Sequence, residues 1–353
     1  MIISASYKTD IPTFYGEWFM NRLQAGYCKM INPYGRQIYS IDLTPEAVDG
    51  FVFWTKNIGP FLKYLPEIQK RGYPFIVQHT INGYPRELEF RVINYTQTIE
   101  HMKKLASDYG PDVAVWRYDP IIISSLTPID WHRRNFETLA KSLEGTTNEV
   151  VVSFGQVYKK TRRNMDWASR EFGFAWHEHE AMSMDDVRQL VIELAQIAAA
   201  HRMKLKVCSQ QTLLVPGIVE EARCVDADRI ERVSGKSIVG KTRQKGNRKE
   251  CGCFASKDIG EYDTCPHGCV YCYAVQNREL ALTRFRAHDP SSKFLFTPEH
   301  VQPGENGAQE IPGIVPMAHI GKKNWLSAQS VQDVIVKQER LFDLMNVNDQ
   351  DRE

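Results

Sequence analysis

Short apolar segments recur from the N-terminus at intervals that leave room for a helix between them. Six segments have the length and composition of β-strands, at 2–6, 50–55, 74–80, 113–118, 149–154 and 205–210. The stretches between them have helical character, at 12–25, 59–71, 94–109, 130–143 and 184–202. Because several strands are nearly continuous in apolar residues and alternate with helices, the pattern predicts a parallel sheet covered by helices.

Polar residues at or shortly after the ends of these strands favour a barrel over a doubly wound sheet. They occur at five successive strands: Lys56 and Asn57; His79; Arg117 and Asp119; Lys159 and Lys160; Gln210 and Gln211. Catalytic residues of (β/α) barrels lie at the carboxyl ends of the strands. We therefore predict an α/β fold, a partial or complete TIM-like (β/α) barrel with parallel strands. Lys56, Arg117 and Asp119 are the predicted catalytic residues lining its pocket; solvated loop residues are the alternative.

Composition indicates a folded chain with no overall preference for a charged partner. The 353 residues are 42% apolar and 25% charged, and the formal net charge is +1. A nucleic acid or a membrane surface would therefore need a local patch. The N-terminus lacks a basic region followed by an apolar run, and no apolar run approaches the ~18 residues of a membrane helix. We expect a cytoplasmic protein with no membrane partner.

Three cysteines are spaced C-x3-C-x2-C in the segment "DTCPHGCVYCYA" (263–274). In a chain without an export signal, tight cysteine clusters favour metal ligation over disulfides. The spacing of Cys265, Cys269 and Cys272, here called the triad, lets one loop bind three irons of a [4Fe–4S] cluster and leaves the fourth iron open. Zinc is the main competitor, although a structural zinc needs four protein ligands. We predict that the triad ligates a [4Fe–4S] cluster.

Four further cysteines, here called the four-cysteine group, form a candidate second metal site. Cys251 and Cys253 make a C-x-C pair shortly before the triad. Cys208 ends the last predicted strand, and Cys224 follows it. Together they supply four thiols for an auxiliary [4Fe–4S] cluster or for zinc. The alternative places Cys208 and Cys224 in the core as small apolar side chains. Cys28 is predicted to be a core residue.

The motifs resemble known families at two levels. The triad, with Tyr271 just before its last cysteine, resembles the signature of the radical S-adenosylmethionine (SAM) superfamily. More narrowly, "KTDIP" (8–12), "FWTKN" (53–57), "WRYDPI" (116–121) and the segment 251–274 resemble the DUF1848 family, over most of residues 1–300. "FWTKN" and "RYDP" are also similar, more weakly, to spore photoproduct lyase-like proteins.

The radical SAM resemblance implies an enzyme. In that superfamily SAM chelates the open iron, and an electron from the reduced cluster generates a 5′-deoxyadenosyl radical that modifies the substrate. The resemblance implies that Tyr271 lies near the adenine and that a ferredoxin or flavodoxin donates the electron; it does not identify the substrate. The usual glycine-rich segment that grips the SAM amine is absent after the triad. We therefore expect the amine contact near Ser6, Thr9 and Asp10.

The same resemblance suggests roles for the polar strand ends. Lys56 and Arg117 would hold the SAM carboxylate or an anionic substrate, and Asp119 would hold a ribose or an amine. Low-potential chemistry also requires a dry, enclosed cluster, and a barrel supplies such a shell.

The late position of the triad departs from the superfamily, whose ordinary members carry it after the first barrel strand. A circular permutation reconciles the two, because the first and last strands of a barrel are neighbours. A strand near 253–262 would then carry the triad loop. The predicted domains are the barrel (1–230), a basic loop (231–250), an iron–sulfur segment that completes the barrel (251–300) and a C-terminal extension (301–353).

Three other functions remain open on the sequence alone. The chain could be an iron–sulfur protein that transfers electrons without cleaving SAM, or a zinc-stabilised binding module. It could also be a nucleic-acid-modifying or repair enzyme, as the photoproduct-lyase resemblance and the basic loop suggest. That third function predicts salt-sensitive binding to DNA or RNA through basic side chains of the loop. These are Lys241, Arg243, Lys245 and Arg248.

Overall fold

Parallel strands joined by helices form the framework of the chain. A computed structural model describes residues 1–32, 37–178, 181–238, 240, 242–246 and 250–297. The described strands are β1 Ile2–Ala5, β2 Tyr27–Ile31, β3 Ile38–Asp42, β4 Gly50–Thr55, β5 Phe75–Thr80, β6 Ala114–Ile121, β7 Glu149–Phe154, β8 Lys204–Val207, β9 Glu220–Glu221 and β10 Ser256–Asp258. The described α-helices are α1 Ile11–Phe14, α2 Gly16–Ala25, α3 Leu65–Lys70, α4 Tyr95–Tyr109, α5 Ile129–Leu143, α6 Lys159–Phe172, α7 Met184–Ala200, α8 Ala227–Ser234 and α9 Arg278–Arg286.

Eight strands form one parallel sheet in the order β10-β1-β4-β5-β6-β7-β8-β9. The edge strands β9 and β10 do not pair with each other, so the sheet is open within the described part of the chain. Of the two predicted forms, the partial barrel agrees with this sheet and the complete barrel does not. A separate antiparallel hairpin pairs β2 with β3.

The last strand lies beside the first, as a permuted barrel requires. Strand β10 pairs in parallel with β1, and Ile3 stands opposite Lys257. This strand falls inside the predicted range 253–262. After passing through the six other strands of the sheet, β4 to β9, the chain therefore returns to the side of β1. The loop after β10 is placed at the carboxyl end of β1.

The outer face of the sheet packs against the helices through large aromatic side chains. Phe51 and Phe53 of β4 are fully buried, and the ring of Phe19 from α2 packs edge-on against both, with centroids 5.1 and 5.3 Å away. Burying one such side chain contributes about 1.5–3 kcal/mol to folding. Cys28 also lies in this core with no exposed surface, which confirms its prediction as a core residue.

The inner face of the sheet is filled by the segment that follows β9. Side chains alternate along a strand, so Val52 and its neighbours point away from the helical layer. These inward residues are Ile2, Val52, Ile76, Val115 and Val151. They pack against buried residues that come after β9 in the chain: Ala222, Cys224, Val225, Ala227, Ile230 of α8, Ile238, Cys253 and Phe254. A Cβ at Gly50 would lie 2.8 Å from Ile230 Cγ2, so the glycine lets α8 approach the sheet.

A buried histidine makes the outer core sensitive to acid. His132 of α5 has no exposed surface; its Nδ1 lies 2.7 Å from the Tyr118 hydroxyl and its Nε2 lies 3.0 Å from the Ile122 carbonyl. In the neutral ring, Nε2–H donates to the carbonyl and Nδ1 accepts from the tyrosine. Burial lowers the pKa of His132 from its ordinary 6.5 to about 4.

We expect His132→Phe to reduce the acid sensitivity of the fold. As pH falls below 6.5, His132 binds a proton in the unfolded chain but stays neutral in the native protein. The free energy of unfolding therefore falls with pH until about pH 4, where native His132 is also protonated. Between pH 7 and pH 5 this contribution is about 2 kcal/mol. Urea unfolding at both pH values should show the variant losing about 2 kcal/mol less than wild type. An equal loss in both proteins would assign the acid sensitivity to other groups, such as buried His79.

Candidate functional site

The triad loop, residues 263–275, is fixed to the loops at the carboxyl ends of β1 and β5. The Arg91 amide donates to the His267 carbonyl (2.9 Å), and the Val270 amide donates to the Leu88 carbonyl (3.1 Å). The Tyr15 hydroxyl donates to the Thr264 carbonyl from the other side. These bonds place the three cysteines at the end of the sheet where parallel α/β folds carry their functional sites.

Backbone amides lie close to two of the triad thiols. The Ala274 amide donates to Cys272 Sγ over 3.3 Å, and the His267 amide opposes the effect of burial on the pKa of Cys265. Burial raises the pKa of all three thiols. The thiols are therefore protonated in the metal-free chain, and metal binding would release their protons.

The turn of the triad loop depends on a glycine. Gly268 has φ +74°, a backbone conformation that side chains disfavour. A Cβ at this position would also lie 3.2 Å from the Cβ of Phe90. The glycine thus permits the left-handed turn between Cys265 and Cys269 and the close approach of the loop after β5.

A buried ion pair lies next to the triad. Lys56 Nζ is 2.7 Å from Glu89 Oε1, and the two side chains are 13% and 5% exposed. Glu89 also accepts hydrogen bonds from the Tyr271 hydroxyl and, over 3.2 Å, from Asn82. Burial alone would lower the pKa of Lys56, but the charge of Glu89 raises that pKa overall. Glu89 therefore holds together two of the predicted site residues, Lys56 and Tyr271. The sequence did not identify Glu89 as a site residue.

The predicted amine-binding residues differ in what they contact. Asp10 accepts bonds from His267 Nε2 (2.8 Å) and from the Lys56 amide (2.8 Å). Burial alone would raise the pKa of Asp10, but the hydrogen bond and charge of His267 lower it overall. Ser6 donates to Asp258 over 2.8 Å. Thr9 Oγ1 is buried without a hydrogen-bond partner among the described residues, so it has unused capacity for a ligand.

Arg117 lies at the four-cysteine group rather than at the triad. Its Nη1 donates to Cys224 Sγ (2.9 Å) and to Gln78 (3.1 Å), while its Nε donates to Asp119 (3.0 Å). The guanidinium also lies 5.2 Å from the centroid of the Trp54 ring. Arg117, Gln78 and Trp54 all point to the inner face by strand alternation.

The four-cysteine group forms a continuous chain of contacts. Cys208 Sγ and Cys224 Sγ are 3.4 Å apart. Cys253 lies within hydrogen-bonding reach of both Cys224 and Cys251. Cys253 Sγ also accepts from the backbone amides of Cys224 (3.2 Å) and Val225 (3.4 Å). Residues from three separate segments of the chain thus meet on the inner face of the sheet.

Neither cysteine group is a preformed site for one ion. Among the residues that the structure describes, no three His, Cys, Asp or Glu side chains converge on a point where a single metal ion could sit. The ligands of an iron–sulfur cube bind separate irons and need not converge in that way. The triad, with three thiols in one loop and a backbone donor to Cys272 Sγ, fits that requirement. The predicted roles of the site residues stay predictions.

Comparison with known proteins assigns the chain to a family. The family model described as "Domain of unknown function (DUF1848)" matches residues 2–274. The chain belongs to the DUF1848 family. No curated protein matches the chain.

The DUF1848 match includes every residue of both cysteine groups, since it ends two residues after Cys272. Within this region one amide side chain joins the two groups. Asn82 donates to the Tyr271 hydroxyl (3.2 Å) beside the triad, and it accepts from the Asp119 amide (2.9 Å) beside Arg117. No described helix of this DUF1848 member is long and apolar enough to cross a membrane.

Proposed function

We propose that the chain is a radical SAM-type enzyme that holds a [4Fe–4S] cluster on Cys265, Cys269 and Cys272. One observation carries the proposal: a C-x3-C-x2-C loop lies beside the first strand of an open parallel sheet, at the carboxyl ends of the strands. Three ligands for four irons leave one iron for SAM. When bound, the reduced cluster would supply the electron that cleaves SAM, and a ferredoxin or flavodoxin would reduce it.

The residues around the triad support binding and orientation of such a cofactor. Lys56 would contact a carboxylate, because its ammonium is buried and has one acidic partner, Glu89. Glu89 fixes the Tyr271 hydroxyl, which orients the ring beside Cys272. Thr9 Oγ1 offers an unused hydroxyl for the SAM amine. Arg117 and Asp119 lie beside the four-cysteine group and would contact a substrate that is not identified.

The experiment is a SAM cleavage assay on anaerobically purified protein. We expect about four irons and four sulfides bound by the triad, and release of 5′-deoxyadenosine after reduction with dithionite in the presence of SAM. Iron and sulfide without SAM binding would favour the electron-transfer protein. A colourless protein that contains zinc but no sulfide would favour the binding module.

A basic and aromatic surface next to the triad loop favours a second candidate function, modification of a nucleic acid. Helix α6 contains five basic residues, Lys159, Lys160, Arg162, Arg163 and Arg170. It contacts the triad loop where Asn164 donates to the Val275 carbonyl (3.4 Å). Trp167 and Phe172 on this helix are 36% and 39% exposed, and the Arg278 guanidinium lies 3.9 Å from the Trp167 ring centroid. Proteins bind single strands through such aromatic and cationic surfaces.

If this surface binds a nucleic acid, the double variant Lys159→Ala/Arg163→Ala should weaken binding to a fluorescent single-stranded oligonucleotide roughly tenfold and reduce its salt dependence by about two charges. Trp167→Ala should cost about 1–3 kcal/mol of binding. Fluorescence anisotropy at several salt concentrations measures both. The matched control is Lys103→Ala/Lys104→Ala, which replaces two exposed lysines of α4. Equal weakening in the control would show that binding depends on general charge and not on α6.

A further inference from the structure

The four-cysteine group lies where the two edges of the open sheet come together. Cys208 follows β8 directly, Cys224 comes shortly after β9, and Cys251 and Cys253 come shortly before β10. Strands β9 and β10 are the unpaired edges of the sheet. The chain therefore brings four thiols to the position where a closed barrel would have its missing strand pairing.

The two edge segments already touch at this position. The Phe254 amide donates to the Val225 carbonyl over 3.0 Å. A Cβ at Gly252 would lie 3.0 Å from the carboxylate of Glu221, so the absence of a side chain permits this approach. The contacts are few compared with a ladder of strand hydrogen bonds. A metal ion bound by thiols from both edges would replace the missing ladder.

The sulfur spacing distinguishes a single ion from a cube. Thiolates around a tetrahedral zinc at about 2.3 Å lie about 3.8 Å apart. Cys208 Sγ and Cys224 Sγ are 3.4 Å apart, within a few tenths of an ångström of that value. Ligands of a [4Fe–4S] cube bind different irons, so their sulfur atoms are kept apart by the cube. Direct sulfur contact therefore favours one ion over an auxiliary cluster.

From this arrangement we infer that Cys208, Cys224, Cys251 and Cys253 form a structural site for one tetrahedral, thiophilic ion of the zinc class. The site cross-links the β9 and β10 edges of the open sheet. In the structure the four sulfur atoms contact each other in a row and do not form a tetrahedron around one point. The ion must therefore draw the ends of this row, Cys208 and Cys251, toward one point.

The surroundings of the sulfur atoms suit a negatively charged metal–thiolate centre. A dication with four thiolates carries a net charge of −2. Arg117 offers a buried guanidinium to Cys224 Sγ at 2.9 Å, and the amides of Cys224 and Val225 donate to Cys253 Sγ. Such outer hydrogen bonds orient and stabilise metal ligands. Arg117 is therefore a positioning residue of this site, in addition to any contact it makes in the pocket.

Metal analysis of the purified chain tests this inference independently of the triad. We expect about one zinc per chain, retained when all three triad cysteines are replaced by serine and lost in Cys224→Ser and Cys253→Ser. Cys28→Ser, at a buried cysteine outside both groups, is the matched control and should keep its zinc. Exchange with Co²⁺ should give the intense visible bands of tetrahedral cobalt with thiolate charge transfer.

Three results would overturn the inference. Zinc that persists in Cys224→Ser would place the ion elsewhere. Loss of about four irons in that variant, with no zinc in wild type, would assign an auxiliary cluster. If wild type holds no metal after zinc supplementation, the four cysteines are ordinary core residues and not metal ligands. If the variants fail to fold, alkylation of wild type before and after chelation decides: a metal site predicts that chelation exposes these four cysteines to labelling.

Discussion

Serine at Cys265, Cys269 and Cys272 is expected to remove about four irons and four sulfides per chain and to reduce SAM cleavage to background. A serine hydroxyl is a much weaker ligand to iron than a cysteine thiolate, because it stays protonated at neutral pH. The three residues also belong to one loop with no fourth cysteine next to it. The readouts are iron and sulfide counts, the visible charge-transfer band of the cluster, and 5′-deoxyadenosine release. Circular dichroism checks that the triple variant is folded.

Cys28→Ala is the control for this variant because Cys28 lies on β2 and is buried in the outer core, outside both cysteine groups. It should lose about 1 kcal/mol of stability from the small cavity and keep all of its iron. Iron that survives in the triad variant would contradict the proposed function. The zinc measurement on the four-cysteine group is unaffected by that outcome, so the two proposals fail separately.

Much of the sheet could be predicted because buried parallel strands have a strong local signal. Each of the six apolar segments overlaps a strand. Helix α7 lies within the predicted range 184–202, and Ser183 Oγ before it accepts the Asp186 amide over 3.1 Å. Helix α6 was missed because only Thr161, Met165 and Ala168 are buried on it. A helix with so few buried apolar residues has little apolar periodicity to recognise.

The inner face was harder to predict than the outer face. Residues 234–250 have the composition of a flexible linker, yet Ile238 is buried in the inner cluster with Val52 and Ile76. Basic and glycine residues dominate the local pattern, whereas the packing depends on a few apolar side chains that meet the sheet. Lys241 and Arg248 of the predicted basic loop lie outside the described residues.

The sequence predicted where the site residues lie in the sheet, but it did not predict which residues contact each other. Lys56 follows the last residue of β4, and Arg117 lies within β6, opposite the last residue of β5, but the two lie next to different cysteine groups. Their partners come from distant parts of the chain. Glu89 lies in an irregular loop 33 residues from Lys56, and no local pattern marks it as a partner. Such pairs depend on the tertiary fold alone.

Breaking the Lys56–Glu89 pair is expected to be among the most destabilising changes in the described chain. Lys56→Met leaves a carboxylate that is 5% exposed without its cation, which costs about 3–5 kcal/mol. The remaining donors, Asn82 and Tyr271, are neutral. Urea unfolding of the metal-free protein measures the loss, so that cluster content does not affect the comparison.

The double variant Lys56→Met/Glu89→Gln separates the structural role of this pair from its proposed role in binding. Neutralising both partners should restore most of the stability, because no buried charge is left unpaired. If Lys56 also contacts the SAM carboxylate, SAM affinity should remain roughly ten- to a hundredfold below wild type in the double variant, as expected for a lost hydrogen bond to a charged group. Glu89→Gln alone retains the ammonium and should bind SAM more tightly than the double variant. Recovery of wild-type SAM affinity in the double variant would show that Lys56 only neutralises Glu89. The carboxylate contact would then be assigned to another cation near the triad, such as Lys160. Burial raises the pKa of Cys272, and the nearby charge of Lys160 partly opposes that rise.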